Sequence, residues 1–96
     1  MTAAQSTVQI DDDRVRVTEW RFEPGAETGW HTHELDYVIV PLVSGSLQTQ
    51  VAAETTSVDL RNGESYARPA GIKHNVTNTN QFEFAFIEIE LKDPAS

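Results

Sequence analysis

Nowhere in these 96 residues do apolar side chains recur with a helical period, and that absence limits the fold more than any single motif. Apolar and polar residues alternate instead in short runs, with turn residues about every eight to ten positions. Arg14–Phe22 reads as a strand with Val15, Val17, Glu19 and Arg21 on one face. Arg16, Thr18, Trp20 and Phe22 lie on the other, and Pro24-Gly25 ends the run. Asp36–Val43 is rich in β-branched residues, and its Pro41 requires an edge, a strand end or a bulge, because proline cannot donate to a ladder. Ser44-Gly45 turns the chain into Ser46–Val51, and Ala52–Thr56 reads as a polar loop. A short strand with Val58 and Leu60 leads to the turn Arg61-Asn62-Gly63, followed by strands at Ser65–Arg68 and His74–Asn78. Thr79-Asn80-Gln81 is predicted as a hairpin loop before the longest alternating run, Phe82–Leu91. About eight to ten short strands without an amphipathic helix predict an all-β sandwich or barrel.

The length supports one domain. Residues 1–7 are expected to be a flexible N-terminus, 8–92 the barrel and 93–96 a tail. Fifteen acids against seven bases give a net charge of −8, which argues against nucleic acid and anionic membrane surfaces as partners. Asp11-Asp12-Asp13 is read as a solvated turn, since three adjacent carboxylates do not face one point. There is no cysteine, so disulfide and thiol chemistry are excluded. With no basic, apolar leader and no run of about 20 apolar residues, the expected location is the cytoplasm.

The chemistry concentrates in three histidines. His31 and His33 are one residue apart in the stretch after Pro24-Gly25, so on an extended chain both rings face the same side. His74 follows a second turn, Pro69-Ala70-Gly71. Imidazole is the commonest metal ligand among side chains, and it suits iron, zinc, nickel, copper or manganese better than calcium. Taken alone, a His-x-His pair is a weak signal, more often two surface or core histidines making hydrogen bonds than a metal site.

Two motifs extend the argument. Gly25, five residues, His31-Thr32-His33 and a run ending near Gly45 form the first. Gly63, five residues, Pro69-Ala70-Gly71, two residues, His74, three residues and Asn78 form the second. In both, the chain resembles the cupins over nearly its whole length, and all three histidines fall on motif positions. The seventeen residues between Gly45 and Gly63 suit the small single-domain bacterial members. The segments Leu35–Leu42 and Phe84–Leu91 are similar to cupins of bacterial amino-acid catabolism, the β-alanine degradation type among them. The resemblance implies a double-stranded β-helix, or jelly-roll barrel, with a divalent transition metal (iron, zinc, nickel or manganese) on His31, His33 and His74. A homodimer is also implied, and exposed N-terminal strands would gain cover from it.

The departure from the family pattern is informative. Cupins usually supply a glutamate as fourth ligand three or four residues after the second histidine, where this chain has Tyr37 and Val38. Parity puts Glu34 and Asp36 on the opposite face, unless a bulge turns one inward, and puts Tyr37 on the histidine face. Three neutral imidazoles leave a divalent ion with its full charge, so an anionic chelating ligand is expected, such as a keto acid, carboxylate or enolate. Tyr37 is a candidate catalytic and substrate-binding residue, as phenolate ligand, hydrogen-bond donor or packing aromatic. Arg68 is a candidate carboxylate clamp, with a surface ion pair as the alternative. Glu88, after Phe84 and Phe86 on one face, is a candidate general base or histidine partner on a face passing from core to rim. Trp30, opposite His31, is expected in the core between sheets. Arg21 is expected to face solvent or a partner subunit, and Asn78 to fix its turn. The function expected is a metal-dependent enzyme of oxygenase, isomerase or lyase type acting on a small anionic metabolite. The alternatives are a non-enzymatic ligand- or metal-binding cupin, and a metal-free acid/base cupin using His31 or His74 with Tyr37.

Overall fold

A computed structural model describes residues 2–92; the expected tail at 93–96 lies outside the described residues. Nine strands form two sheets, and none of the described residues is helical. They are β1 (Gln5–Asp11), β2 (Val15–Phe22), β3 (His31–Thr32), β4 (Asp36–Pro41), β5 (Gly45–Val51), β6 (Glu54–Leu60), β7 (Tyr66–Arg68), β8 (Lys73–Asn78) and β9 (Phe84–Leu91). One sheet has the order β1-β2-β9-β4-β7 and the other β3-β8-β5-β6. Every pairing between these strands is antiparallel, and the two sheets face one another as a jelly-roll barrel. No helix of the described residues is long and apolar enough to cross a membrane.

The register explains where the core sits, because residues paired across antiparallel strands share a face. Phe22 pairs with Phe84, and Trp20 with Phe86, which pairs in turn with Pro41. The next inward row is Thr18, Glu88, Ile39 and Tyr66. The last is Arg16, Glu90, Tyr37 and Arg68. The inner wall therefore changes along the barrel from aromatic to polar. Phe22 and Phe84 are fully buried, Ile39, Leu47, Leu60 and Phe86 surround them, and each such side chain stabilises the fold by about 1.5–3 kcal/mol.

Asn78 closes the aromatic end and fixes its turn. It is fully buried, and its amide donates to the Phe22 and Phe82 carbonyls at 3.0 and 2.9 Å. Its side-chain oxygen accepts from the Asn80 backbone N–H at 2.9 Å. This one side chain ties the four-stranded sheet to the end of β2 and the start of β9.

Several elements differ from the sequence reading. The first strand begins at Gln5, ahead of residue 8 where the barrel was expected to start, because β2 offers an edge that polar residues pair with as well as apolar ones. The predicted loop at 52–56 is a tight turn at Ala52-Ala53, after which Glu54–Thr56 pair with Thr49–Val51; small and polar composition concealed a ladder. The 79–81 segment is not a hairpin loop, since it carries the chain from β8 in one sheet to β9 in the other. Pro41 stands at a strand end. Asp12 accepts the Arg14 and Val15 N–H groups at 2.8 and 2.9 Å, making the aspartate run a turn between β1 and β2. Arg21 is exposed and pairs with Glu19 and Glu83.

Candidate metal centre

Two short segments present the three histidines. His31 begins β3 and faces His74 directly across the β3–β8 pair. His33 lies just beyond β3, where its N–H donates to the Ile72 carbonyl at 2.9 Å and its carbonyl accepts the Gly71 N–H at 2.8 Å. Gly71 has φ +105°, a left-handed conformation that side chains resist, and this bends the Pro69–Gly71 turn back against His33. Asp36 supports the same turn by accepting the Ala70 N–H at 2.8 Å. Exposed Glu34 and Asp36 both face away from the histidines, so neither replaces the missing acidic ligand.

The three Nε2 atoms form a nearly equilateral triangle with edges of 3.1, 3.0 and 3.1 Å. Each Nδ1 points outward. That of His31 donates to the Gly29 carbonyl at 2.9 Å, an acceptor that fixes the tautomer and leaves Nε2 with its lone pair. His74 Nδ1 lies 3.3 Å from the Thr49 hydroxyl, and His33 Nδ1 lies 4.0 Å from Glu88 Oε2. Burial, then the neighbouring imidazoles, pushes His33 down to about 4, and burial with His31 does the same to His74. Both rings are therefore neutral near pH 7, as metal ligands must be.

These residues fit a divalent ion. With bonds of about 2.0–2.1 Å, perpendicular ligands place their nitrogens about 3.0 Å apart and tetrahedral ligands about 3.4 Å. The observed edges of 3.0–3.1 Å would let all three nitrogens reach one divalent ion. Hydrogen bonds to Nδ1, as His31 and His74 make, are the usual way a protein orients such ligands.

Around the triangle lies a cavity of about 50 Å³, lined in part by Trp20, Tyr37, Tyr66 and Glu88. The buried Tyr37 ring stacks on His33 with centroids 3.9 Å apart and planes 18° from parallel. Burial, with smaller effects from Tyr66 and Glu88, pushes its hydroxyl up to about 12. Glu88 is buried to 9% exposure and is pushed up to about 7, first by burial and then by Glu90. The Trp20 indole N–H and Arg16 oppose that shift; the indole N–H is buried and has no partner in hydrogen-bond geometry among the described residues. Arg68 is exposed, with no carboxylate partner among the described residues.

The predicted site residues His31, His33, His74, Tyr37 and Glu88 thus share one cavity. Trp30 does not belong to the core: it is 50% exposed, because the side of β3 that faces the barrel belongs to the histidines. Sequence reasoning passed over Trp20, Thr49 and Tyr66. Parity would have found Trp20, which shares the inward face of β2 with Phe22, and Tyr66, two residues from Arg68 on β7.

The chain belongs to the cupin family: the Cupin_2 model of the cupin domain matches residues 18–90. It is 48% identical over 89 residues to "Beta-alanine degradation protein BauB" of Pseudomonas aeruginosa, covering 93% of this chain and 94% of that protein. A cupin domain from Bordetella pertussis Tohama I superposes with a TM-score of 0.94 at 51% identity, covering 96% of each chain. A cupin superfamily protein of Desulfitobacterium hafniense, at 20% identity and TM-score 0.73 over 94% of this chain and 78% of its own, shares the fold.

Proposed function

We propose that the chain is a metal-dependent enzyme acting on a small anionic metabolite, with His31, His33 and His74 as protein ligands to a divalent ion. The observation that carries this reading is the Nε2 triangle, whose spacing would let all three nitrogens reach one divalent ion. Imidazole ligands suit iron, zinc, nickel or manganese. A bound ion of this kind supplies a Lewis acid for a chelating carboxylate or enolate and, with iron(II), open positions for dioxygen.

The chain's own groups have distinct parts. Tyr37 holds His33 in place by stacking and stays protonated, so its hydroxyl serves as a donor. Glu88 lies beside the cavity with a proton affinity near neutrality, suited to taking up or returning a proton. Arg68 offers its guanidinium to a carboxylate at the rim. The relative's name, with its reference to β-alanine degradation, supports a short acid from amino-acid breakdown as the substrate class.

The reading includes a cytoplasmic homodimer. Support for the dimer comes from apolar residues on the outward faces of β2, β4 and β9, including Val17, Val38, Val40, Ile87 and Ile89, and from Val8 and Ile10 on the exposed edge strand β1. Light scattering that gives a monomer at every concentration would remove the dimer from this reading.

Metal content is the direct test. Elemental analysis of untagged protein should find about one ion per chain, and almost none in His33→Ala or His74→Ala. Equal content in all three would overturn the site. Metal-loaded protein should consume oxygen or convert a short keto acid; tight ligand binding without turnover would make the protein a binding module instead.

A further inference from the structure

Beside the histidine triangle lies a second recess of about 100 Å³. Leu47, Val58, Leu60, Ile72 and Val76 form its apolar walls. It shares Tyr37, Leu47, Tyr66, His74 and Val76 with the cavity around the triangle, so the two spaces adjoin at one proposed metal ligand, His74. Interiors are close-packed, and the walls of an unfilled space lose dispersion contacts. A hollow this size in so small a barrel therefore has the character of a binding space.

One permanently charged side chain lines the recess: Arg68. Its guanidinium carbon stands 4.6 Å from the Tyr66 ring centroid, and Nη1 donates to the Ala67 carbonyl at 2.9 Å. Stacking and this hydrogen bond hold the guanidinium at the mouth, and among the described residues most of its N–H groups have no other partner. Arg16, Arg21 and Lys92 by contrast are all engaged by carboxylates.

We propose that this recess is a chain-length-selecting subsite for a short bifunctional acid. Arg68 binds a carboxylate at one end of the ligand, a spacer of one or two carbons lies against Leu47, Val58 and Val76, and an oxygen function at the other end meets the histidine triangle. The proposal rests on the metal-centre reading for that second end. The recess is smaller than the apolar cavity of about 150 Å³ that accommodates benzene, so short chains fill it better than aromatic acids or long acyl chains.

Calorimetric titration of metal-loaded protein with malonate, succinate, adipate, propionate and benzoate tests the inference, with metal content measured on the same samples. Malonate or succinate should bind at least tenfold more tightly than propionate, adipate and benzoate. Arg68→Gln should weaken succinate binding at least tenfold at unchanged metal content, and Arg68→Lys should restore part of it. Val58→Phe, which fills the recess, should weaken the four-carbon acid most. Equal affinity along the series, or an Arg68→Gln protein that binds succinate normally, would overturn the proposal. If the wild-type chain holds no metal, the metal reading fails by itself. The dependence on length and on Arg68, measured on that same protein, still decides the recess.

Discussion

The two ends of this barrel are built from the same strands and differ in almost every physical respect. At one end Phe22, Phe84 and Asn78 are fully buried, and every polar atom of Asn78 that closes the end is hydrogen-bonded. At the other, three imidazoles converge, a buried glutamate is held far from its ordinary proton affinity, and two cavities adjoin. β9 makes the passage in eight residues, from Phe84 and Phe86 to Glu88 and Glu90 on its inward face. The closed end supplies stability, and the open end spends part of it on holding chemically useful groups in place.

Substitutions test that division. Phe22→Ala should cost about 3–5 kcal/mol in denaturant unfolding, because it empties the packed end of the barrel. A loss below about 1 kcal/mol would mean that the core lies elsewhere. Asn78→Ala should cost about 3 kcal/mol by stranding the Phe22 and Phe82 carbonyls. Metal content should fall little in the protein that remains folded, since Asn78 lies at the far end from the triangle.

The open end should show itself through pH. The folded values of His33 and His74 lie below that of an unfolded histidine, so the unfolded chain binds more protons between about 4 and 6.5. Stability of the metal-free protein should rise with pH across that window and be lost as pH falls through it. Glu88 acts in the opposite sense: its folded value is raised, so stability falls as pH rises from about 4.5 to about 7. Glu88→Gln should therefore stabilise the metal-free protein at pH 8 by on the order of 1 kcal/mol and steepen its acid-side decline. Thermal unfolding across the pH range checks both, and a Glu88→Gln protein less stable at pH 8 would contradict the division. The smallest effect belongs outside both ends: Trp30→Ser should change stability by no more than about 0.5 kcal/mol, as its ring is half in solvent.

Most of the site was legible because it depends on parity. His31, His33 and Tyr37 alternate with exposed Thr32, Glu34 and Asp36, and that period survives the gap between β3 and β4. The cupin motifs supplied what parity lacks, the pairing of His74 with His31. Trp30 misled because an aromatic residue suggests burial, whereas the histidines had already taken the inward face. The 52–56 segment misled because ladder hydrogen bonds are made by the backbone, and β6 uses Glu54–Ser57 on an exposed edge where no apolar side chain is required. The recess beside the triangle was not legible at all. A void is a property of how side chains from β5, β6, β7 and β8 fail to fill a volume, and no local pattern encodes that.

The reciprocal backbone bonds between His33 and the Gly71–Ile72 turn have a kinetic consequence. They join the two ligand-bearing segments before any ion arrives, so the entropy of assembling three donors is lost during folding instead of during capture. At the proposed metal site, uptake would then depend chiefly on loss of water from the ion. No loop needs to close. Loading should accordingly follow a single concentration-dependent phase, and release should be slow until a histidine is protonated or the strands themselves separate.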